Sequence, residues 1–324
     1  MRIKREKVEN TSFMVKGRTA LIDLDSLLYK VGFMAQRDTL VIAEEGYEEQ
    51  YFSTMTEAKA YAKTIDFPVE NIEKRSEVEK AITVKKMIRK TIRSWARKSK
   101  CEYYALFLHG GGNFREDLIQ HVDYKGNRVN LTKPLLFDKI KQFIIKEYKV
   151  NMVEGIETDD MVCIKHWQAF KKCKDIREDM GTVLVSIDKD LMQIPGWYLN
   201  PDKFDKPRWI KPEGFLKLKR RPKKPSKLTG GGEVWFYAQM LLGDTADNIK
   251  GIKGMGPVGV HDLLKPLIGD PEALERAVWE YYKKQHGEDA WSWFVETGVM
   301  LWMLRDESES RNTWLPTFVR KEDA

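Results

Sequence analysis

Acidic side chains cluster where a helix with an apolar stripe is predicted to begin. Glu157, Asp159 and Asp160 fall within four positions, and apolar residues follow at helical spacing. Glu157 and Asp160 therefore lie on one helical face. One or two carboxylates in a first helical turn are ordinary, because they complement the exposed amides of a helix N-terminus. Three carboxylates in this turn, together with further acidic pairs elsewhere in the chain, indicate a site for divalent cations.

Further acidic pairs occur where strands or helices are predicted to end. They are Asp23 and Asp25, Asp188 and Asp190, and Asp244 and Asp247. Two like charges about 4 Å apart repel by about 4 kcal/mol at an effective dielectric near 20, so a crowded set protonates, moves apart or binds cations. The five histidines show no zinc-type spacing. A set of ligands that are all oxygen atoms favours Mg²⁺ or Mn²⁺. For any single acidic pair, the simpler alternative is a pair of surface carboxylates that binds no metal.

The chain combines these acidic clusters with an overall basic composition. It has 324 residues, a net charge of +7, 42% hydrophobic and 32% charged residues. Basic charge around acidic clusters suits a polyanion that is bound electrostatically and cut at a metal centre, although a basic surface that only confers solubility explains the charge equally well. The three cysteines lack CxxC spacing. With no long apolar stretch and no secretion signal, we expect a cytoplasmic protein with buried thiols and no membrane span.

Strands and helices are predicted to alternate along the first two thirds of the chain. Apolar runs at 18–23, 103–108 and 182–187 predict buried strands, and helices are predicted over 76–98 and 134–148. This alternation predicts an α/β fold with a mostly parallel central sheet covered by helices. We expect a flexible segment at 1–17, a catalytic core over 18–227 and a helical region over 228–324.

Residues 206–227 form the most basic part of the chain, with ten Lys or Arg against Glu213 alone. Four prolines in this segment argue against a helix. We therefore predict a pair of strands with a mobile basic loop, followed by a hinge at 228–232 and a tryptophan-rich helical region. The candidate DNA contacts of the loop are Lys219, Arg220, Arg221, Lys223 and Lys224.

A glycine-rich turn follows the last acidic pair. Gly251, Gly254 and Gly256 allow a tight turn whose amides can approach a phosphate, and Pro257 suits the first position of a helix. Together with Lys253, this turn is a candidate DNA-backbone site. A lone glycine turn is usually only a turn, but this one directly follows the last two candidate metal ligands.

Taken in chain order, these segments resemble the flap endonuclease and 5′→3′ exonuclease family, and most of all its bacteriophage members. The resemblance is carried by Ile22-Asp23, Tyr124-Lys125-Gly126-Asn127-Arg128, Glu157-Thr158-Asp159-Asp160, Asp188-Lys189-Asp190 and Gly243-Asp244-Thr245-Ala246-Asp247-Asn248. The motifs extend from about residue 18 to 265, and the remaining residues match only loosely.

The resemblance implies a PIN-like nuclease core, a helical arch near 110–135 and a helix–hairpin–helix element at the glycine turn, often with K⁺ bound at its carbonyls. Lys125 and Arg128 would contact the scissile phosphate, and Tyr124 would either stack on a terminal base or pack internally. Two or more divalent ions would be held by Asp23, Glu157, Asp159, Asp160, Asp188, Asp190, Asp244 and Asp247. Asp23, Asp160 and Asp188 are the candidates closest to the chemistry. Family members usually carry an Asp after the strand at 103–108, where this chain has His109. Three alternatives stay open: Asp25 supplements the metal site, the site has an altered metal preference, or it is less active.

The implied activity is two-metal hydrolysis of DNA from 5′ ends, nicks and 5′ flaps, and of RNA in RNA–DNA hybrids. A monomer that works with a polymerase or a single-strand-binding protein, in a phage-infected host or in repair, would fit this role. Two alternatives stay open. Asp23-Leu24-Asp25 also resembles the nucleophile motif of haloacid-dehalogenase-type phosphatases, and the departure at His109 leaves room for a non-catalytic DNA-binding protein.

Overall fold

A computed structural model describes residues 3–9, 14–43, 48–128, 132–173, 176–222, 224–310 and 314–323. The strands are β1 (Glu6–Lys7), β2 (Val15–Asp23), β3 (Gln36–Ile42), β4 (Gln50–Phe52), β5 (Glu73–Val78), β6 (Cys101–Gly111), β7 (Val150–Glu154), β8 (Thr182–Val185), β9 (Gly196–Leu199), β10 (Arg208–Ile210), β11 (Phe215–Lys219), β12 (Lys227–Gly231), β13 (Gly243–Asp244) and β14 (Ile249–Lys250). The helices are α1 (Asp25–Met34), α2 (Met55–Thr64), α3 (Ala81–Lys98), α4 (Phe137–Glu147), α5 (Thr158–Lys172), α6 (Glu233–Leu242), α7 (Pro257–Leu264), α8 (Pro271–His286) and α9 (Ala290–Leu301).

The chain forms two compact units. The first, called the sheet unit, comprises residues 1–26, 93–131 and 148–324, and the second, called the inserted unit, comprises 27–92 and 132–147. The inserted unit contains a three-stranded antiparallel sheet in the order β4-β3-β5. This division follows packing. The boundary predicted at 227/228 separates a catalytic core from a helical region, and it stays a prediction.

The sheet unit is built around a mostly parallel sheet of seven strands among the described residues, in the order β1-β6-β2-β8-β9-β10, with β7 also beside β6. β2 runs parallel to both neighbours, with Ile22 opposite Leu106 of β6 and Val185 of β8. All three of these residues are buried. The predicted parallel sheet is confirmed, because a strand buried on both faces has to be apolar almost throughout.

The connections place the candidate site at one end of this sheet. From the central β2 the chain moves outward to β6 and β7, and then returns to β8 on the other side of β2. This reversal of direction is a topological switch point, where the carboxyl ends of parallel strands open a crevice. α5 packs against the same strands and shares a buried apolar cluster with them.

Three local predictions differ from the structure. Glu6–Lys7 pairs with β6, so the described part of 1–17 is not wholly irregular. The helix predicted from residue 76 begins at Ala81, because Glu73–Val78 pairs with β3. In the described part of 110–135 the predicted helical arch consists of two short 3₁₀ turns, at Phe114–Leu118 and Gly126–Arg128.

The basic segment forms the predicted pair of strands, but the predicted hinge at 228–232 is wrong. β11 and β12 pair in register from Phe215 opposite Gly231 to Lys219 opposite Lys227. A side chain at Gly230 would lie 2.5 Å from the ring of Trp235, so this glycine allows α6 to pack closely on the hairpin. The glycine run is therefore part of a packed strand.

Helices α6 to α9 enclose a second apolar cluster in the sheet unit. Trp279 is fully buried there, and Trp291, Trp293 and Trp302 pack against the cluster. The three cysteines are free and buried, as predicted. No helix in the described part of the chain is both long and apolar enough for a membrane span.

Candidate metal and phosphate site

Asp23 and Asp25 lie where the central strand β2 passes into α1. The Asp23 carboxylate accepts hydrogen bonds from the Asp25 amide (3.0 Å) and the Ser186 hydroxyl (3.1 Å). Burial, followed by the charge of Asp25, raises the pKa of Asp23 to about 8. The Asp25 carboxylate accepts the amide of His109 at 3.2 Å. Asp25 therefore reaches His109 in the last part of β6, beside which it was predicted as a supplementary ligand.

Asp188 and Asp190 follow the neighbouring strand β8. The Asp188 carboxylate accepts the Asp190 amide at 2.9 Å. Burial and the charge of Asp188 raise the pKa of Asp190 to about 7. The Lys189 ammonium donates to Asp244 at 2.8 Å and lies 3.6 Å from Asp190. Although burial raises the pKa of Asp244, this lysine outweighs it and the net shift is downward.

Glu157, Asp159 and Asp160 lie at the N-terminus of α5. Glu157 is the residue before the first helical turn, and one carboxylate oxygen from each of the three residues lies within 4.8 Å of the others. Burial raises the pKa of Asp159 well above its usual value, and the charges of Glu157 and Asp160 add to the effect. The predicted grouping of these three carboxylates is therefore present in the fold.

Arg115 holds two of these three carboxylates, and it was not predicted from the sequence. Its guanidinium donates to both carboxylate oxygens of Asp160, one of them at 3.0 Å, and to Glu157 at 3.3 Å. Arg115 and Asp160 are 2% and 0% exposed. A single basic residue in a mixed segment carries no sequence signal that separates it from a surface arginine.

Tyr124 and Lys125 both bind Glu157. The Tyr124 hydroxyl donates to Glu157 at 2.8 Å, and the Lys125 ammonium forms an ion pair with the same carboxylate. Burial would raise the pKa of Glu157, but the charges of Lys125 and Arg115 outweigh it and lower the pKa. Tyr124 is 7% exposed and belongs to the apolar cluster of the C-terminal helices. Of the two predicted roles for Tyr124, internal packing is the one its burial favours.

The loop carrying Asp244 and Asp247 is joined to the segment carrying Lys125. The Lys125 amide donates to the Asp247 carbonyl at 2.9 Å, and the Asn248 side chain donates to the Asp123 carbonyl at 2.8 Å. Lys125 has a positive φ of 56°, a conformation that non-glycine residues rarely adopt. The backbone contacts fix this conformation.

The charges of carboxylates from separate chain segments act on one another. The charge of Asp188 raises the pKa of Asp23, and those of Asp188, Asp244 and Asp247 raise that of Asp190. Burial raises the pKa of the Cys163 thiol, and the charges of Asp159, Asp160 and Asp23 add to the shift.

The predicted DNA contacts of the basic segment lie in the β11–β12 hairpin of the sheet unit. Lys219 ends β11, and Arg220, Arg221 and Lys224 follow in the hairpin loop. Within the described residues, no hydrogen bond or ion pair joins this loop to the carboxylates. Lys223 lies outside the described residues. Arg128 ends a 3₁₀ turn, and its side chain is also outside what the structure describes.

The glycine turn forms a helix–hairpin–helix arrangement. α6 leads into the short β13–β14 pair, and α7 begins at Pro257 in the first helical position. Gly254 has a φ of 80°, which favours glycine. The Lys253 amide donates to the Gln285 side chain at 2.6 Å, so this amide is already engaged within the protein.

Comparison with known proteins finds relatives named DNA polymerase I and 5′-3′ exonuclease. The chain is 30% identical over 178 residues to DNA polymerase I of Rhizobium leguminosarum, which covers 53% of this chain and 16% of that protein. It is 26% identical over 204 residues to the 5′-3′ exonuclease of Aquifex aeolicus, which covers 59% of this chain and 61% of that protein. The matched regions therefore span less than two thirds of either relative. No family model matches the chain.

Among solved structures, a variant of the 5′-exonuclease of bacteriophage T5 is similar with a TM-score of 0.45 and 11% identity, over 91% of each chain.

Proposed function

We propose that this protein is a divalent-metal-dependent nuclease that cuts DNA from 5′ ends and at 5′ flaps. The observation that carries the proposal is the group of three carboxylates at the start of α5, one of which binds Lys125, together with acidic pairs after β2 and β8 whose charges act on one another. The relatives named 5′-3′ exonuclease and DNA polymerase I support the same activity.

The residues present fit divalent cations. The donor set is entirely carboxylate oxygen, which suits Mg²⁺ or Mn²⁺. Asp23, Asp159 and Asp190 all have a raised pKa, and like-charged neighbours contribute to each shift. A bound cation would relieve this repulsion. The ligands we propose are Asp23, Asp25, Glu157, Asp159, Asp188, Asp190, Asp244 and Asp247. Such ions, when bound, activate a coordinated water and neutralise charge on the phosphate.

Asp160 has a different role in this proposal. Both of its oxygens accept hydrogen bonds from Arg115, and one also accepts the amide of Leu304 at 3.1 Å. Its carboxylate is therefore largely satisfied within the protein. We assign Asp160 to positioning: it holds Arg115, and Arg115 in turn binds Glu157.

Lys125 supplies positive charge where the reaction needs it. Its ammonium is only partly exposed and is held by Glu157 beside the other carboxylates. In this proposal the ammonium acts as a fixed positive charge. This positive charge would stabilise the negative charge that accumulates on the oxygens of a bound phosphate during the reaction. Arg128, three residues later, is proposed to act on the same phosphate.

Duplex DNA is proposed to contact two basic parts of the sheet unit. One is the β11–β12 hairpin loop, and the other is the glycine turn from Gly251 to Gly256, where K⁺ at the carbonyls would support backbone binding. RNA in RNA–DNA hybrids is a further proposed substrate, and a polymerase or a single-strand-binding protein a proposed partner. We also propose that the protein acts as a monomer in the cytoplasm.

The direct test is product mapping with Mg²⁺ on DNA labelled at either the 5′ or the 3′ end, in duplex, nicked and flapped forms. We expect short products released from 5′ ends and cleavage at the base of 5′ flaps, with none after Asp188→Asn. A chromogenic phosphomonoester assayed in parallel addresses the phosphatase alternative, in which Asp23 is the nucleophile. Hydrolysis of that compound without DNA cleavage would overturn the proposal. DNA binding without Mg²⁺-dependent cleavage at any enzyme concentration would favour the non-catalytic alternative.

A further inference from the structure

A buried carboxylate on α9 binds the backbone that leads to Lys125. Glu296 is 7% exposed. One of its oxygens accepts the amides of Gln120 (3.0 Å), His121 (2.8 Å) and Val122 (2.8 Å), and the other accepts the His121 amide at 3.0 Å. Among the described residues no Lys or Arg forms an ion pair with it. The three amides are therefore the donors that offset the cost of burying this charge.

These amides lie directly before the residues that bind Glu157. Val122 is buried, and Tyr124 and Lys125 follow two and three positions later. On its downstream side the segment is bound by the Asp247 carbonyl and the Asn248 side chain. The backbone of Lys125 thus lies between two anchors, one on the loop with candidate metal ligands and one on α9. Its positive φ requires such support, because the conformation is unfavourable for a lysine.

We propose that Glu296 is a positioning residue that places the Lys125 ammonium beside Glu157. The inference rests on the proposed nuclease function, and it adds a residue from the part of the chain where the family resemblance is loose. Without the carboxylate, the amides of 120–122 lose their common acceptor. The segment would then sample other conformations, and Lys125 would meet the phosphate less often.

The test compares Glu296→Met with a matched variant, Glu275→Met. Met has similar length and flexibility but no strong acceptor. Glu275 on α8 is 1% exposed and likewise accepts three successive amides, those of Thr317, Phe318 and Val319. That segment carries none of the proposed site residues. Both variants remove an acceptor of three successive amides, and Glu275→Met also removes the acceptor of the Tyr237 hydroxyl at 3.1 Å. Only Glu296 binds the segment that leads to Lys125.

Hydrogen exchange of the metal-free protein gives a readout that does not depend on activity. We expect amides 120–125 to exchange at least about tenfold faster in Glu296→Met and at an unchanged rate in Glu275→Met. Glu296→Gln retains the oxygen that accepts all three amides, so it should keep most of the protection. If Glu296→Met does not fold, the Gln variant provides the comparison, with a smaller but measurable increase expected.

Single-turnover cleavage tests the consequence for chemistry. We expect the rate with enzyme in excess to fall about tenfold or more in Glu296→Met, while DNA binding measured in Ca²⁺ changes by less than about threefold. In a Lys125→Ala background the same substitution should have little further effect, because the residue it positions is already missing. Unchanged exchange at 120–125, an unchanged rate, or an equal loss in both Met variants would overturn the inference. Absence of cleavage by the wild-type protein would instead refute the nuclease proposal, and exchange would still decide whether Glu296 holds the segment.

Discussion

The ion pair between Arg115 and Asp160 provides a sharp test of how the candidate site is supported. Both side chains are buried, and the guanidinium also donates to the carbonyls of Val299 (3.3 Å) and Trp302 (2.7 Å). Arg115→Met keeps much of the apolar volume but removes every one of these donors. The Asp160 carboxylate then retains the Leu304 amide as a hydrogen-bond donor, and the guanidinium that offset its charge is gone.

The expected cost follows from the burial of the pair. Removing one partner of a buried ion pair typically costs about 3–5 kcal/mol, because the other charge is left uncompensated. For a domain of this size that corresponds to a fall of roughly 5–10 °C in Tm. The double variant Arg115→Met with Asp160→Asn removes both charges, and the remaining side-chain oxygen can still accept the Leu304 amide. We therefore expect the double variant to regain at least half of the lost stability.

Thermal and urea unfolding of the two single variants and the double variant, all in EDTA, would measure these differences. Titration with Mn²⁺ then separates positioning from direct ligation. If Asp160 only positions Arg115, adding Asp160→Asn to Arg115→Met leaves the Mn²⁺ affinity unchanged. A further fall of tenfold or more would identify Asp160 as a ligand. A loss below about 1 kcal/mol in Arg115→Met would refute the argument from the buried pair.

Three further predictions concern catalysis, DNA binding and pH. Asp188→Asn should reduce cleavage of 5′-labelled DNA by at least about 10²-fold, with DNA binding still measurable by gel shift; an unchanged rate would remove the proposed site. Charge reversal at Lys219 and Lys224 should weaken DNA binding and reduce the slope of log K against log salt by about 1–2, and an unaltered slope would exclude the hairpin from the interface. Burial lowers the pKa of His166 from 6.5 to about 3, so the unfolded chain takes up the proton first as the pH falls. The resulting loss of stability begins below about pH 6.5 and reaches about 2 kcal/mol at pH 5. Urea unfolding at pH 7 and pH 5 should show a smaller difference in His166→Gln than in the wild type, and equal differences would contradict the shift.

The sequence predicted the sheet because its central strands are apolar without interruption. The runs that became β2, β6 and β8 needed burial on both faces, and a parallel sheet provides it. Prediction failed where pairing with a distant segment decided the local structure. Glu73–Val78 became a strand through pairing with β3, although its residues also suited the start of a helix. The glycines of β12 suggested a hinge, since the sequence alone does not show that Trp235 packs against Gly230.

The grouping of Glu157, Asp159 and Asp160 was predictable because three carboxylates in one first helical turn are unusual. The residues that bind these carboxylates or position the neighbouring segments were not predictable. Arg115, Lys189 and Glu296 lie far along the chain from their partners, and each is an ordinary charged residue in its own segment. Only the fold shows that their charges are compensated within the protein. The same holds for Tyr124, whose burial could not be read from its neighbours.

Arg115 and Glu296 connect the candidate site with the C-terminal helices, although the family resemblance weakens before these helices begin. The end of α9 supplies the carbonyl of Val299, and the residue that follows the helix, Trp302, supplies a second carbonyl to Arg115. Glu296 of the same helix binds amides 120–122. Both ends of the segment between β6 and Lys125 are therefore attached to α9. A site whose carboxylates repel one another needs a rigid frame to keep them together before cations bind, and in this fold α9 provides part of that frame.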